Sequence, residues 1–390
     1  MRTAGIIAEC NPFHSGHAYL LEEARRRTGA DYIVVAMSGD FVQRGAPAIL
    51  DKRARARRIL EAGADLVLEL PLYIACGSAG YFAEGGVRLL DSLGVVTDLC
   101  FGSESGDADA LSDLASQLAS LEQDASYRQH LQSLLRQGRS YPAAAAQAAQ
   151  AYGLQLPECA PNDLLALSYC RTLCETGSSV RPLAIPRIST EGATALRTQM
   201  LADPAQAGSL LWEEDLSEAL LHALSFSPCP LSDYLDVSED LAARIEALLP
   251  SYTGFTQFCG LLKNRSLTYT RVSRALLHIL LGLRTQDVQR FREHGLIGWL
   301  RPLGFRRSAA PLLKAIRSGC GLPLLTKPAS GAAMLAEPFD RMLQQDLRAS
   351  EFASHLRQMK RMKGMAAGEA SGISPEERPV CELSQPLILL

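Results

Sequence analysis

Two histidines near the N-terminus, His14 and His17, are spaced for joint contact with one phosphate group. Residues three apart lie on the same side of a helix, so both imidazoles can reach one phosphate if a helix begins between them. Gly16 lets a nucleotide lie close to the backbone, and Pro12 stiffens the preceding turn. The pattern predicts a phosphate-binding turn at a helix N-terminus. The alternative is a pair of capping or solvent-exposed histidines.

Short apolar segments alternate with helical patterns through the first half of the chain, which is typical of βαβ units and a parallel sheet. They predict strands at residues 4–8, 32–37, 65–70, 98–101 and 182–185. Apolar spacings of three and four predict helices at 17–27, 48–62, 78–93, 108–119, 127–137, 141–151 and 162–175. Because the first strand runs directly into the histidine turn, its context favours the phosphate-binding interpretation.

Beyond about residue 201 the strand signals fade, and helical patterns broken by prolines follow. We predict an α/β domain at residues 1–200, a mostly α-helical domain at 201–365 and a loosely ordered tail at 366–390, whose residues 387–390 can dock. The ten cysteines are scattered, and we interpret them as buried thiols rather than a metal site. The absence of a long apolar stretch or signal peptide predicts a cytoplasmic protein with no membrane partner.

Basic residues concentrate in one part of the helical half. Residues 251–370 contain 19 Lys and Arg against 7 Asp and Glu, a net charge of +12. The remainder contains 20 against 35, a net charge of −15. Such a region is typical of a surface that binds a polyanion, because phosphate neutralisation dominates nucleic-acid affinity. From charge alone, a solvated helical surface is an equally good interpretation.

Six segments, in order along the chain, resemble one enzyme family. They are GIIAECNPFHSGH at 5–17, MSGDFVQRG at 37–45, DLVLELP at 65–71, FGSE at 101–104, PNDLL at 161–165 and YTRVSRALL at 269–277. The histidine turn alone is similar to the His-x-Gly-His signature of the nucleotidyltransferase superfamily, which includes class I aminoacyl-tRNA synthetases. The ordered set, spanning roughly residues 4–283, resembles the bacterial tRNA(Met) cytidine acetate ligase family.

The resemblance implies a Rossmann-like nucleotidyltransferase parallel sheet and a two-step reaction. ATP activates acetate as acetyl-adenylate, and the acetyl group then passes to N4 of the wobble cytidine, position 34, of elongator tRNA(Met). We also expect magnesium to accompany the ATP phosphates, no metal site of the protein's own, and no DNA partner. By resemblance, the ATP contacts fall on Ile7, Asn11, Pro12, Phe13, His14, Gly16, His17, Leu20, Gly102, Asn162 and Arg187.

A second phosphate-binding segment, GATALR at 192–197, resembles the Ser-x-Thr-x-Ile-Arg motif of the superfamily. This resemblance implies phosphate contacts from Thr194 and Arg197, one helical turn apart. Gly192 stands where a hydroxyl residue is usual, and the segment that links the motif to the last strand is short. Smaller departures from the family pattern are Cys10 in place of Tyr and Asp163 in place of Asn.

Two cations after the second strand complete the predicted catalytic set. The superfamily often places cations there against the leaving pyrophosphate, which implies catalytic roles for Arg44 and Lys52 beside His14 and His17. Lys52 opens the basic run KRARARR at 52–58. On a helix, we expect most of the other charges of this run to be solvated.

The basic region predicts the tRNA-binding surface. Its first cluster contains Lys263, Arg265, Arg271 and Arg274, and its last contains Arg357, Lys360, Arg361 and Lys363.

Two alternatives remain open at this stage. A small-molecule adenylyltransferase of the pantetheine-phosphate or nicotinate-mononucleotide type uses the same histidine chemistry without RNA, and the long basic helical part disfavours it. A non-catalytic RNA-binding relative keeps the fold without the chemistry. Retention of both His14 and His17 disfavours this second alternative.

Overall fold

The computed structural model describes residues 1–157, 160–188, 192–203, 207–327, 331, 334–366, 382 and 385–390. Its strands are β1 (Thr3–Ala8), β2 (Tyr32–Ser38), β3 (Phe41–Val42), β4 (Ala46–Pro47), β5 (Leu66–Leu70), β6 (Asp98–Ser103), β7 (Arg181–Pro186), β8 (Pro302–Phe305) and β9 (Ile388–Leu389). Within the described residues, seven strands form one sheet in the order β7-β6-β1-β2-β5-β8-β9. The short strands β3 and β4 pair as a separate antiparallel hairpin.

The predicted parallel α/β sheet is confirmed, because β7, β6, β1, β2 and β5 are all mutually parallel. Their apolar runs suit strands that are covered on both faces. From β1 the chain passes through β2 to β5 on one side, and then crosses back to β6 on the other side of β1. The switch point in strand order therefore lies between β1 and β6, which is where open α/β sheets bind ligands.

Helices cover both faces of this sheet. They are α1 (Ser15–Thr28), α2 (Lys52–Glu61), α3 (Leu72–Ala75), α4 (Ala79–Ser92), α5 (Ala108–Leu121), α6 (Ala125–Arg136), α7 (Tyr141–Ala151), α8 (Pro161–Thr176) and α9 (Ala193–Ala202). Leu21 of α1 and Ile59 of α2 pack with Val35 of β2 on one face. The preceding residue of β2, Val34, lies in the core on the opposite face, to which α4 and α8 also contribute residues. This alternation follows from the two-residue period of a strand.

Helix α2 begins at Lys52, because Asp51 caps it. The Asp51 carboxylate accepts hydrogen bonds from the backbone N–H groups of Arg53 and Ala54, both at 2.9 Å. Residues 48–51 connect β4 to this helix and are not helical. The predicted helix over 48–62 is therefore wrong in its first turn.

The second half of the chain is mostly helical, as the proline-broken patterns predict. Its helices are α10 (Ser217–Ser225), α11 (Glu239–Leu248), α12 (Phe255–Leu262), α13 (Tyr269–Leu281), α14 (Thr285–Glu293), α15 (Ala310–Gly319) and α16 (Phe339–Ala366). However, β8 from this half joins the sheet antiparallel to β5, so the prediction that strands end near residue 201 is wrong at this edge. Strand β9 pairs with β8, which confirms the docking of residues 387–390. Most of the rest of the predicted tail lies outside the described residues.

The cysteines are unpaired throughout the described ranges. Five of them are the expected buried thiols: Cys10, Cys76, Cys100, Cys170 and Cys259. The expectation is wrong for three that reach the surface fully or in part: Cys174, Cys229 and Cys320. Cys159 and Cys381 lie outside the described residues.

Among the helices that the structure describes, none is both long enough and apolar enough to cross a bilayer.

Candidate nucleotide-binding site

His14 and His17 meet at the first turn of α1, which begins between them as their spacing requires. The backbone N–H of Gly16 donates to His14 Nδ1 at 3.0 Å. The backbone N–H of His14 donates to His17 Nδ1 at 3.2 Å, and the two ring centroids are 4.0 Å apart. His14 is therefore the N-cap of α1, and both imidazoles are oriented by the backbone of the same turn.

These hydrogen bonds decide which ring nitrogen of each histidine can donate. A neutral imidazole that accepts through Nδ1 carries its proton on Nε2. Burial lowers the pKa of His14, and the Arg187 cation lowers it further. Burial, His14 and Arg187 together lower the pKa of His17 to about 3. Both rings are thus neutral near pH 7 and present Nε2–H donors at a helix N-terminus, the form that suits hydrogen bonding to phosphate oxygens.

The loop between β1 and α1 is held from several sides. The backbone N–H of Ile49 donates to Asn11 Oδ1 at 2.8 Å, and Arg197 Nη1 donates to the Asn11 carbonyl oxygen at 2.6 Å. The Phe13 ring stacks against His17 with a centroid separation of 5.6 Å. Two predicted nucleotide contacts, Asn11 and Phe13, therefore also fix the shape of the loop.

Three further predicted contacts are apolar and support the same region. Pro12 is buried, Leu20 is half-buried on α1, and Ile7 of β1 lies against α4. A Cβ added to Gly86 of α4 would lie 2.7 Å from Ile7 Cδ1, so the helix approaches the strand closely at this glycine. These three side chains pack beneath the histidine turn, whereas the backbone of the turn makes the polar contacts to the imidazoles.

The end of β6 lies at the same edge of the sheet as the histidine turn. Gly102 pairs with Ile185 of β7, and the backbone N–H of Arg187 donates to the Ser103 carbonyl oxygen at 3.0 Å. A Cβ at Gly102 would lie 3.6 Å from Arg187 Cγ, an ordinary contact distance. Arg187 is exposed, and its charge lowers the pKa of both His14 and His17. The structure thus brings Gly102 and Arg187 to the histidine pair.

Two carboxylates, Asp163 of α8 and Glu104 of the turn after β6, join the N-terminus of α8 to that turn. Asp163 accepts hydrogen bonds from the backbone N–H groups of Glu104 and Ser105, both at 3.0 Å, and from the Ser103 hydroxyl. Glu104 accepts in return from the Asp163 N–H at 2.9 Å and from the Asn162 side-chain amide. Asn162, a predicted ATP contact, is therefore held at the edge of β6. Asp163 fixes the turn after β6, a role that the sequence analysis missed although PNDLL marked the segment.

Helix α9 brings the second predicted phosphate segment to the first. Arg197 Nη2 donates to Thr194 Oγ1 at 3.0 Å, while Nη1 holds the Asn11 carbonyl. Gly192 precedes the helix without a side-chain cap. Residues 189–191 of the short linking segment lie outside the described residues.

A carboxylate that the sequence analysis did not single out, Glu9, lies at the end of β1. Its Oε1 accepts from the backbone N–H of Gln43 at 2.8 Å. Burial raises the pKa of Glu9, and the charges of Arg44 and Arg197 oppose this rise. Arg44 is exposed at the turn of the β3–β4 hairpin. The edge of the sheet therefore carries Glu9 with two cations close to it.

The amino-acid sequence is similar to a described family and to named bacterial relatives. The family model described as HIGH Nucleotidyl Transferase matches residues 1–200 and 192–366. The tRNA(Met) cytidine acetate ligase of Acetivibrio thermocellus is 34% identical, over 84% of this chain and 88% of that relative. The Syntrophomonas wolfei protein of the same name is 36% identical, over 84% and 87%. The chain belongs to the tRNA(Met) cytidine acetate ligase family. Its family is thus one of ligases built on the nucleotidyl transferase fold.

A solved relative supports the fold of the whole chain. The crystal structure of Thermotoga maritima TmcAL bound with alpha-thio ATP matches with a TM-score of 0.87 and 28% identity, and the match covers 100% of both chains. The family predicted from the ordered segments and the predicted α/β nucleotidyltransferase fold are both confirmed. The Thermotoga protein binds an ATP analogue.

In this member of the tRNA(Met) cytidine acetate ligase family, the Lys52 ammonium lies in a buried cluster. Nζ lies 2.8 Å from Glu69 Oε1, from Glu382 Oε1 and from Ser350 Oγ, and the side chain is 2% exposed. Burial opposes the charged form, but Glu69, Glu382 and Asp40 raise the pKa of Lys52. The ammonium therefore joins α2 to β5 and α16, and it does not face the histidine turn.

The remaining charges of the basic run divide between interior and surface. Arg57 and Arg58 are exposed, as expected. Arg55 is buried, and its Nη1 donates to the carbonyl oxygens of Glu9 at 2.8 Å and Ser38 at 3.0 Å. Arg55 is therefore an exception to the expectation that most of these charges are solvated, and it supports the chain where it leaves β1 and β2.

The first basic cluster of the helical half is only partly a surface. Lys263 and Arg265 are exposed, and Arg271 is half-buried. Arg274 is buried, and its Nε donates to Asp236 Oδ2 at 2.6 Å. The Arg274 guanidinium is committed to this ion pair, so the expectation that Arg274 belongs to an open basic surface is wrong.

The last basic cluster divides in the same way. Arg357 is buried and donates to the carbonyl oxygens of Ile49 at 3.0 Å and Ala48 at 2.8 Å. The others remain at the surface fully or in part: Lys360, Arg361 and Lys363. Arg357 therefore anchors α16 to the segment before α2, and the expectation that it lies on the surface is wrong.

Proposed function

We propose that the chain activates acetate with ATP and transfers the acetyl group to N4 of the wobble cytidine, position 34, of elongator tRNA(Met). The observation that carries the proposal is the pair of neutral histidines at the start of α1, at the switch point between β1 and β6. Two Nε2–H donors at a helix N-terminus form a preorganised site for phosphate oxygens. Family membership supplies the substrate class, since the relatives are named tRNA(Met) cytidine acetate ligases.

In the first half-reaction, one acetate oxygen attacks the α-phosphorus of ATP in line with the departing pyrophosphate. A bond forms between that oxygen and phosphorus, and the bond from the α-phosphorus to the bridging oxygen of pyrophosphate breaks. The chain performs no covalent step, so positioning and charge stabilisation supply the acceleration. His14 and His17 hydrogen-bond the phosphate oxygens and stabilise the charge that builds up on them.

Cations around the turn balance the leaving group. Arg187 lies where its charge acts on both histidines, and Arg197 lies against the Asn11 carbonyl with Thr194 beside it. Arg44 is exposed on the hairpin that contacts Glu9 through Gln43. Across the described part of the chain, no group of three or more His, Cys, Asp or Glu residues could hold a metal ion. We propose that magnesium would reach the site on the ATP phosphates and would help neutralise their charge.

In the second half-reaction, the N4 amine of cytidine attacks the acetyl carbonyl carbon. The C–N bond forms, AMP leaves with the former acetate oxygen, and the amine loses one proton. The base must be unstacked to reach the site, which suits a single-stranded anticodon loop. Lys263 and Arg265 are the exposed cations of the first basic cluster and supply phosphate contacts.

We propose residues 1–200 as the adenylylating domain and 201–365 as the tRNA-binding domain. Strands β8 and β9 join the second part of the chain to the sheet of the first.

Labelled acetate tests both half-reactions together. The protein is incubated with ATP and carbon-labelled acetate, with and without elongator tRNA(Met), and acetyl-AMP is separated from acetylated RNA. We expect label in acetyl-AMP in both cases and in N4-acetylcytidine only when tRNA is present. Acetyl-AMP without labelled tRNA would contradict the RNA part of the proposal, and no acetyl-AMP would contradict the adenylylation. A tRNA with another base at position 34 is the matched control.

A further inference from the structure

The two tryptophans of the chain lie in opposite environments. Trp299 is buried, with 1% of its surface exposed, whereas Trp212 is 41% exposed. The Lys360 ammonium lies 5.7 Å from the centroid of the Trp212 ring, a cation–π contact. An exposed aromatic ring beside a cation is the combination with which proteins bind single-stranded nucleic acid.

Hydrogen bonds fix the backbone that carries this ring and the ammonium beside it. The backbone N–H of Trp212 donates to Asp215 Oδ2 at 3.0 Å, and the backbone N–H of Asp215 donates to the Trp212 carbonyl oxygen at 3.2 Å. Lys360 Nζ donates to the same Asp215 Oδ2 at 2.8 Å. The indole and the ammonium are thus preorganised, which reduces the ordering entropy that binding costs.

Trp212 borders the nucleotide-binding loop. The backbone N–H of its neighbour Leu211 donates to the Ile49 carbonyl at 3.2 Å, and the Ile49 N–H donates to Asn11 Oδ1 at 2.8 Å. On its other side, Glu213 lies close enough to Arg197 for its charge to raise the pKa of that guanidinium against the larger effect of burial. Both neighbours of Trp212 therefore contact, or act on, residues that hold the histidine turn.

The acidic residues beside Trp212 do not form an open anionic surface. Glu214 accepts from the backbone N–H groups of Phe255 at 3.2 Å and Thr256 at 2.9 Å, where it caps α12. Asp215 is paired with Lys360. The Trp212 ring and the Lys360 side chain, which stays 22% exposed beside Asp215, remain accessible to a ligand.

We propose that Trp212 is a stacking platform for a nucleobase of the RNA substrate, and that Lys360 contacts the adjoining phosphate. The inference rests on the proposed function and names how the same site receives its RNA. A cytidine that leaves the stack to reach the site leaves its neighbour without a stacking partner. An indole fixed at the rim of the site supplies the missing π-face and accepts any base, because every base has one.

The first test compares tRNA affinity in three variants. Trp212→Ala is expected to weaken tRNA binding about tenfold and to raise the KM for tRNA similarly, while Trp212→Phe retains most of the affinity. Phe226→Ala is the matched control, because Phe226 is an aromatic residue of the same half that is 74% exposed. All variants should form acetyl-AMP without tRNA at the wild-type rate. Unchanged tRNA affinity and KM in Trp212→Ala would overturn the platform.

Tryptophan fluorescence reports base stacking on Trp212 directly. Since Trp299 is buried, base stacking on Trp212 should quench the tryptophan fluorescence when an anticodon stem-loop is added, and Trp212→Phe should abolish that quenching. Quenching that persists in Trp212→Phe would contradict the proposal. The two levels of inference fail separately: wild-type protein that leaves tRNA unacetylated contradicts the proposed function, whereas transfer that proceeds equally well in Trp212→Ala contradicts only the stacking platform.

Discussion

Arg197 donates from Nη1 to the carbonyl oxygen of Asn11 at 2.6 Å, which joins helix α9 to the loop that carries the histidines. The two segments are separated by 185 intervening residues in the chain, and this bond makes them one site. The same guanidinium holds Thr194 through Nη2. The departures from the superfamily motif around Gly192 therefore do not prevent the arginine from reaching the nucleotide loop.

Replacing Arg197 should impair adenylylation. Arg197→Met removes both the bond to Asn11 and a cation near the phosphates, and we expect acetate-dependent ATP–pyrophosphate exchange to fall at least about tenfold. Thr198→Ala is the control, since Thr198 bonds only back to the Thr194 carbonyl of its own helix among the described contacts. Equal losses in the two variants would show that helix α9 matters only as a structural element.

Removal of either histidine should lower acetyl-AMP formation about a hundredfold, the usual effect of losing one preorganised donor to a charged transition state. His17→Ala and His14→Ala are compared with Ser15→Ala, whose side chain is exposed in the same turn. The rate of single-turnover acetyl-AMP formation is the measurement. A His17→Ala variant as fast as Ser15→Ala would remove His17 from the chemistry.

The lowered pKa of His17 should make stability depend on pH. Its folded-state pKa is about 3, below the ordinary value near 6.5, so in mildly acidic solution the unfolded chain binds a proton that the folded chain does not. Above about pH 6.5 this contribution to the free energy of unfolding is fully present. As the pH falls from there toward the folded-state pKa, the free energy of unfolding decreases by up to about 1.4 kcal/mol per pH unit. Urea unfolding at pH 7.5 and 5.5 should show a larger loss for wild type than for His17→Gln. Equal losses would contradict the depressed pKa.

Loss of Lys52 should destabilise the fold. Lys52→Met breaks the buried ion pairs of Lys52 with Glu69 and Glu382 and leaves Arg301 as the cation that they share, which costs about 3–5 kcal/mol of unfolding free energy. Arg57→Met, on the exposed face of the same helix, should change it by less than about 0.5 kcal/mol. Chemical denaturation measures both. A Lys52→Met protein of wild-type stability that forms no acetyl-AMP would instead support the catalytic role predicted from the sequence.

The exposed cations of the first basic cluster should set the salt dependence of tRNA binding. A Lys263→Glu and Arg265→Glu double variant should bind tRNA more weakly and reduce the salt slope of log Kd by about 2, one for each lost phosphate contact. The same reversal at Arg57 and Arg58, which are exposed on α2, is the control for total charge. If both double variants behave alike, the tRNA surface lies elsewhere.

Local patterns predicted how the residues of the candidate site are arranged. The β1 strand and the histidine turn are adjacent in the chain, so spacing and a helix start sufficed to predict their arrangement. The same holds for Thr194 and Arg197, which lie one turn apart on α9 and do contact each other. Asp51 was an available cap signal that places the start of α2 at Lys52.

Long-range contacts explain what the sequence could not predict. The buried state of Lys52 depends on Glu69, Ser350 and Glu382, which come from separate parts of the chain. Arg274 was predicted to be a surface cation because its ion-pair partner, Asp236, is distant in the sequence. Strand β8 has only four residues and contains both Pro302 and Gly304, which weaken any strand signal.

If acetate attacks the α-phosphorus of ATP at the histidine turn and the acetyl group then passes to tRNA, one acetate oxygen ends on AMP. Acetate labelled with oxygen-18 in both oxygens tests it most directly, with mass spectrometry of the AMP released during tRNA acetylation. We expect one labelled oxygen in each AMP, because the attacking oxygen leaves with the nucleotide, and no labelled AMP from the His14→Ala and His17→Ala double variant. Wild-type AMP without label, or label recovered in inorganic phosphate, would contradict it.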